Sequence, residues 1–375
     1  MRIAVNTRLL LKGKLEGIGW FTYENFIRIT RQHPEHQFFF LFDRPYDSGF
    51  VFGSNVTPVV LRPQSRHPFL WYIWFEWSVT RFLKNNKIDI FVSPDGYLSL
   101  TTPTPQLAVI HDINFHHNPK GLPFLTSWYL NSFFPKYTRK AKRVVTVSQS
   151  SKNDIVKNYY VENKKVDIVY NGASDVFAPL AEPEILLVRN RISEGLPYFV
   201  FVGALNPRKN IDGLIKAYSI FRKKSNSNIK LVLVGEAMFK TKKIKKAYNQ
   251  CLFKNDIVFA GRCGIDELHR IVGASLAMIY PSFFEGFGIP ILEAMKCGIP
   301  LAVSNTTSMP EVAGDAAIYF DPSDTESIAN SMLELMENKN LREKLIANAK
   351  RQSAMFSWDI SSTKLYESIM KCTEI

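Results

Sequence analysis

Cysteine is scarce in this sequence and scattered where it occurs. Cys251, Cys263, Cys297 and Cys372 are the four cysteines of a 375-residue chain, and they form no CxxC pair or metal-ligand cluster. That spacing argues against a disulfide framework and a cysteine-based metal centre, and reduced thiols are expected. Long apolar runs are missing too, since no window approaches the roughly 20 residues of a membrane span. Nothing resembles a secretory signal: the opening "MRIAVNTRLLL" runs straight into a strand-like alternation, so a cytoplasmic location is expected. There is no short-period repeat, no low-complexity tract, and no D-x-D pair on a strand-end loop.

Acidic residues are in deficit. The chain has 34 Asp and Glu against 47 Lys and Arg, a net charge of +13. The cations gather in "KYTRKAKR" (136–143), "FRKKS" (221–225) and "KTKKIKKAY" (240–248). Each block fits a solvated helix face, or attraction to an anionic partner: a phosphorylated substrate, acidic lipid head groups or nucleic acid. Aromatics bear on the choice. The segment 67–87 places Trp71, Trp74 and Trp77 at three-residue steps and ends in basic residues. Such a helix suits either a membrane interface, at the inner face of the cell membrane, or a core position under a sheet.

The length exceeds one ordinary core and suits two domains. Short apolar runs rich in β-formers alternate with helical periods, the grammar of parallel βαβ units. Strands are expected at 2–7, 38–42, 88–94, 106–112, 143–148 and 166–172, with helices near 18–32, 68–86, 124–141 and 149–158. The pattern restarts with strands at 198–204, 229–235, 256–261, 276–282, 300–305 and 316–321. The proline-bearing stretch 175–185 reads as the linker, giving an α/β chain of two doubly wound lobes, 1–178 and 179–356. Ligand is expected at the carboxyl ends of the strands, in a cleft between the lobes.

Two strand ends stand out. In "GALNPRKNIDGLIKAY" (203–218), Asn210 reads as an N-cap and Asp212 lies in the first helical turn. Arg208 and Lys209 then precede a helix N-terminus, where the helix dipole disfavours cations unless an anion such as a diphosphate lies between. In "FFEGFGIPILEAM" (283–295), Glu285, Gly286, Phe287 and Gly288 form a loop before a helix starting at Ile289 or Pro290. Glu293 lies about one turn further on. Two carboxylates flanking a phosphate-binding turn can each accept hydrogen bonds from a pair of hydroxyls.

"EGFGIPILE" is similar to the E-x7-E motif of the family-4 retaining glycosyltransferases, whose GT-B fold has two facing Rossmann-like domains and a deep interdomain cleft. Further resembling elements follow in order: "EGIGWFTYE" (16–24), "VIHD" (109–112), "TVS" (146–148), "VYNG" (169–172), "GALNPRKN" and "SMPEVAGDAAIYFDP" (308–322). The resemblance covers nearly the whole chain. It implies that Glu293 holds the donor ribose and that Glu285 reaches the transferred sugar. Arg208 and Lys209 would clamp the diphosphate, with Gly286, Phe287, Gly288 and Ile289 forming the donor turn. His111 would stand beside the sugar, although a strand-end histidine bonded locally is the plainer reading. Gly17 and Gly19 resemble the first-lobe loop that approaches the donor phosphates, and residues 357–375 the last helix, which crosses back onto the first lobe.

The implied enzyme moves a hexose from a nucleoside diphosphate sugar to a glycan or lipid-linked oligosaccharide. It resembles mannosyltransferases that use GDP-mannose, and it is expected to work without a metal or other cofactor. A GT-B nucleotide-sugar epimerase is the nearer rival. A non-catalytic nucleic-acid or phosphate-binding protein is the more distant one, because the paired glutamates would repel a nucleic-acid backbone and no nucleic-acid motif is present.

Overall fold

The computed structural model describes residues 1–236 and 241–373. Lys240, the first residue of the third basic block, and the last two residues of the expected final helix lie outside that range. The chain divides into two units, Met1–Asn171 with the residues from Ser357 onward, and Gly172–Phe356.

The first unit is built on seven strands: β1 (Arg2–Asn6), β2 (Gln37–Phe42), β3 (Val56–Val60), β4 (Ile90–Ser93), β5 (Gln106–Val109), β6 (Arg143–Thr146) and β7 (Val166–Ile168). Their order is β3-β2-β1-β4-β5-β6-β7, and every pairing is parallel. Ile3, Ala4 and Val5 of β1 are fully buried, as expected of a strand covered by helices on both faces. β3 lies outside the expected strands and carries Pro58 opposite Phe40. A proline cannot donate to a ladder and argues against a central strand, but β3 is an edge, where one side needs no donor.

The expected helix at 68–86 is interrupted. Pro68–Ile73 and Thr80–Asn85 are α-helical, and Trp74–Val79 between them is a π-helical turn. That turn buries Glu76, whose carboxylate accepts from the amides of Leu100 (2.7 Å) and Thr101 (3.1 Å) and from Thr101 Oγ1 (2.7 Å). Burying a charge requires partners of this kind, and widening the helix brings the residue to them. The tryptophans split accordingly. Trp74 is fully buried and donates to the Leu61 carbonyl, Trp71 packs on the core and donates to Ser65, and Trp77 is exposed.

The Trp358–Lys371 helix packs on the Gly17–Gln32 helix of the same unit. Tyr366 stacks on His33 with ring centroids 3.5 Å apart, and Arg28 Nε donates to Asp359 over 2.6 Å. No helix among the described residues is long and apolar enough to cross a membrane.

The second unit has six strands: β8 (Tyr198–Val202), β9 (Lys230–Val234), β10 (Ile257–Gly261), β11 (Ala277–Tyr280), β12 (Leu301–Ser304) and β13 (Ala317–Phe320). Their order, β10-β9-β8-β11-β12-β13, is again all parallel. In both sheets the order reverses beside the unit's first strand, the switch point at which doubly wound sheets bind ligands. The division at Asn171 falls ahead of residue 178. Residues 173–178 already belong to the second unit: Lys296 Nζ donates to the Ala173 carbonyl (3.0 Å), and His269 Nε2 lies 2.8 Å from the Ala178 carbonyl. The end of the expected linker is helical, in Glu182–Ser193.

Candidate active site

The switch point of the second sheet lies between β8 and β11, and the two motifs singled out in the sequence follow these two strands. Both β8 and β9 run into glycines of left-handed type, Gly203 (φ 147°) and Gly235 (φ 144°). A Cβ on Gly235 would lie 2.0 Å from the Gly203 carbonyl oxygen, so the backbones meet where a side chain cannot fit. Gly235→Ala is therefore expected to destabilise the unit by about 3 kcal/mol or more, measurable as a lowered urea midpoint.

Beyond Gly203 the chain enters a 3₁₀ turn, Pro207–Lys209, capped by Asn206, whose side chain accepts from the Lys209 amide. Asn210 then occupies the N-cap position of the Ile211–Ser225 helix, with φ 55°. Its side chain does not cap the helix as expected; it donates to the Pro322 carbonyl over 2.7 Å. Asp212 sits in the first turn, as expected.

The turn aims Arg208 and Lys209 at the loop after β11. Arg208 Nη1 donates to Glu285 Oε2 (2.8 Å) and to the Phe284 carbonyl (2.6 Å). Lys209 Nζ donates to the Tyr280 hydroxyl (2.6 Å) and forms an ion pair with Glu285 Oε1 at 2.7 Å. In this structure both cations pair with one anion, Glu285. Burial alone would raise the Glu285 carboxyl, but Lys209 and Arg208 outweigh it and hold it at about 2. Burial, and next Glu285, push the neighbouring Tyr280 phenol well above its ordinary range.

The helix Ile289–Lys296 begins at the expected residue. Gly288 occupies its N-cap position at φ 100°, and no side chain caps it. Ser308 Oγ lies 2.9 and 3.0 Å from the carbonyls of Glu285 and Phe287, and Thr307 Oγ1 accepts from the Glu285 amide. Together they fix the loop through Gly286. Glu293 differs sharply from Glu285. With no charged neighbour to offset burial, its carboxyl is pushed up to about 7. Two carboxylates eight residues apart are thus driven in opposite directions, the usual mark of groups with different tasks.

The sequence reading assigned no role to Tyr280, Thr307 or Ser308. Ser308 opens the quoted stretch "SMPEVAGD", so a signal for it existed. Tyr280 looked like any strand residue.

In the first unit, His111 Nε2 lies 2.9 Å from the Pro94 carbonyl, which can only accept, so Nε2 carries the proton and Nδ1 keeps a lone pair. Burial lowers the pKa of this ring and keeps it neutral. The local bond of the plainer reading is therefore present. Gly17 and Gly19 open the Gly17–Gln32 helix, which no side chain caps. A Cβ on Gly17 would meet open space, whereas one on Gly19 would lie 3.0 Å from the Leu9 carbonyl, so Gly19 also has a packing role.

At this sheet's own switch point, Arg8 Nε donates to Asp95 (2.6 Å), and the guanidinium lies 4.4 Å from the centroid of the Tyr97 ring. Asn6 also donates to Asp95 (2.7 Å). This buried network joins the chain after β1 to the turn after β4, and the sequence reading did not identify it. Among the described residues, the grouping closest to a metal-ligand set is His33, Glu35 and His36, at the far end of the Gly17–Gln32 helix. His36 Nε2 there is hydrogen-bonded to Tyr366.

Comparison with known proteins bears on the family and the fold. The family model "Glycosyltransferase Family 4" matches residues 28–175, and "Glycosyl transferases group 1" matches 184–352. "O-antigen chain mannosyltransferase B" of Escherichia coli is 29% identical over 75% of this chain and 74% of its own length. "O-antigen chain mannosyltransferase RfbU" of Salmonella typhimurium is 26% identical over 73% and 72%. Among solved structures, Anabaena Alr3699/HepE in complex with UDP and glucose superposes with a TM-score of 0.75, covering 99% of each chain at 17% identity, a likeness of fold. With two doubly wound parallel sheets and both family models matched in order, the chain belongs to the group 1 glycosyltransferases of GT-B fold.

Proposed function

We propose that the protein is a retaining hexosyltransferase that moves mannose from GDP-mannose to a glycan or lipid-linked oligosaccharide during synthesis of a surface polysaccharide. The observation that carries this reading is the cluster of Arg208, Lys209 and Glu285 at the switch point, with Glu293 on the following helix. The choice of mannose, and of a surface polysaccharide, follows the names of the O-antigen relatives.

Glycosyl transfer builds positive charge at the sugar carbon and negative charge on the departing diphosphate. Fixed charges that need no reorganisation stabilise such a transition state best. Arg208, whose side chain is 27% exposed, meets the leaving phosphate, while the more deeply buried Lys209 supports it from behind. Glu285, held as an anion, positions the two cations and balances charge beside the sugar. Glu293 accepts hydrogen bonds from the ribose hydroxyls. Retention follows from same-face substitution, in which the leaving phosphate helps deprotonate the acceptor hydroxyl.

The test is a thermal-shift screen of nucleotide sugars followed by a transfer assay. GDP-mannose is expected to give the largest shift, equivalent to about 2.7 kcal/mol at a hundredfold excess over Kd. Transfer is expected to persist in excess EDTA, because side chains supply the cations. A larger shift with a UDP-sugar would overturn the choice of donor. Loss of activity in EDTA that magnesium restores would overturn the cationic clamp, and isomerisation of the donor without acceptor would point to an epimerase.

A further inference from the structure

We infer that the first unit carries a membrane-docking face made by the Pro68–Ile73 helix and the Phe124–Lys140 helix, and that its partner is a bilayer with anionic head groups. Aromatic and aliphatic side chains that would ordinarily be covered stand in the open here. Phe69 is 66% exposed, Phe124 81%, Leu125 51% and Trp128 55%, with Tyr72 at 40%. They adjoin one another through Phe133, whose ring centroid lies 6.0 Å from that of Tyr72 and 6.4 Å from that of Trp128. The patch therefore spans two helices.

Charge continues it. Lys136 Nζ lies 5.2 Å from the centroid of the same Phe133 ring. Leu125, Trp128, Ser132, Lys136 and Arg139 recur at three- and four-residue steps, so they share one side of a single helix. That stripe is apolar at its start and cationic at its end. From Ile113 to Asn153 the chain has no Asp or Glu.

Exposed Trp, Tyr and Phe next to unopposed Lys and Arg suit a helix lying in the head-group region, the rings in the acyl boundary and the cations on the phosphates. A second copy of the chain is the poorer occupant, since a twofold contact would bury the same cations from both copies with no Asp or Glu on this helix to pair them. The sequence left the tryptophan-bearing segment 67–87 open between a membrane interface and a core position. Trp71 and Trp74 turn inward, as the core alternative has it, while Phe69 and Tyr72 of the same segment stand in the open beside the Phe124–Lys140 helix. The inference rests on the function proposed above only for what the bilayer presents, a lipid-linked acceptor.

The experiment uses the full chain with vesicles of phosphatidylcholine, with and without phosphatidylglycerol. The protein is expected to sediment with the anionic vesicles at low salt and to be released as salt rises. Two variants, Phe69→Ser/Phe124→Ser/Trp128→Ser and Lys136→Glu/Arg139→Glu, are each expected to lose about tenfold or more in vesicle affinity. Near-UV circular dichroism checks that each is folded. Brominated lipids are expected to quench wild-type fluorescence more than that of Trp128→Phe. Transfer to a soluble oligosaccharide should be unchanged in both variants, so a failure of docking is distinguishable from a failure of the proposed activity. Absence of vesicle binding by the wild type would overturn the inference, as would wild-type binding by the folded aromatic variant. So would a wild-type dimer that the substitutions dissociate, or a soluble oligosaccharide that protects Trp128 while lipid does not.

Discussion

Replacing Arg208 and Lys209 together by alanine is expected to lower glycosyl transfer by about a thousandfold or more, since each removes charge stabilisation from the leaving diphosphate. The structure adds a second consequence that the sequence alone did not suggest. Glu285 is 7% exposed, and these two cations are its ion-pair partners. Removing them leaves a buried carboxylate uncompensated, a change that costs about 3–5 kcal/mol. In the wild type, a carboxyl at about 2 rather than 4.5 stabilises the fold above pH 4.5, and that contribution is lost as pH falls toward 2. In the double variant burial is no longer opposed and the carboxyl rises above 4.5, so stability should instead fall as pH rises past 4.5. Adding Glu285→Gln should restore much of the stability and none of the activity. Urea unfolding across pH, set beside steady-state rates, makes the comparison. Near-normal transfer by a folded double variant would remove these residues from the mechanism.

Glu293→Gln is expected to make the free protein more stable and its nucleotide binding weaker. The Glu293 carboxyl sits at about 7 in the fold, above its ordinary 4.5. The folded state therefore favours the proton, and a stability cost accumulates as pH rises from 4.5 to about 7 and persists above it. At pH 8 the neutral amide should recover up to about 3 kcal/mol of that cost. In the proposed role the carboxylate would accept from both ribose hydroxyls better than the acid does, so wild-type affinity for the nucleoside diphosphate should climb between pH 5 and 8, and the variant should lose both affinity and climb. Glu285→Gln should behave differently if Glu285 faces the transferred sugar as proposed, cutting kcat much more than diphosphate affinity, because the diphosphate product lacks that sugar. Calorimetric titration of both variants, with rates, separates them. Equal losses of affinity with kcat intact in Glu285→Gln would show that both glutamates serve the nucleotide alone.

Much of this is legible in the sequence alone. Short apolar runs mark twelve of the thirteen strands among the described residues, because a strand buried on both faces must be continuously apolar whatever surrounds it. Gly288 and Pro290 marked the start of the Ile289–Lys296 helix for local reasons, the one by its positive φ and the other by its fixed φ. The motif order from "EGIGWFTYE" to "SMPEVAGD" carried the family.

What the sequence by itself determined is therefore local: periodicity, turn chemistry and the residue types at strand ends. The tertiary structure decided whatever depends on who stands next to whom. It made β3 an edge on which Pro58 is tolerated, turned two tryptophans inward and left a third outside, and moved the unit boundary to Asn171 through bonds from Lys296 and His269. Above all, it separated two glutamates that look alike in the chain. One lies between Arg208 and Lys209 and stays charged; the other is half-buried with no cation to offset its loss of water and holds its proton near neutrality. The charge of a buried carboxylate is set by its neighbours in space, and those neighbours come from a strand end some eighty residues away, which no local pattern encodes.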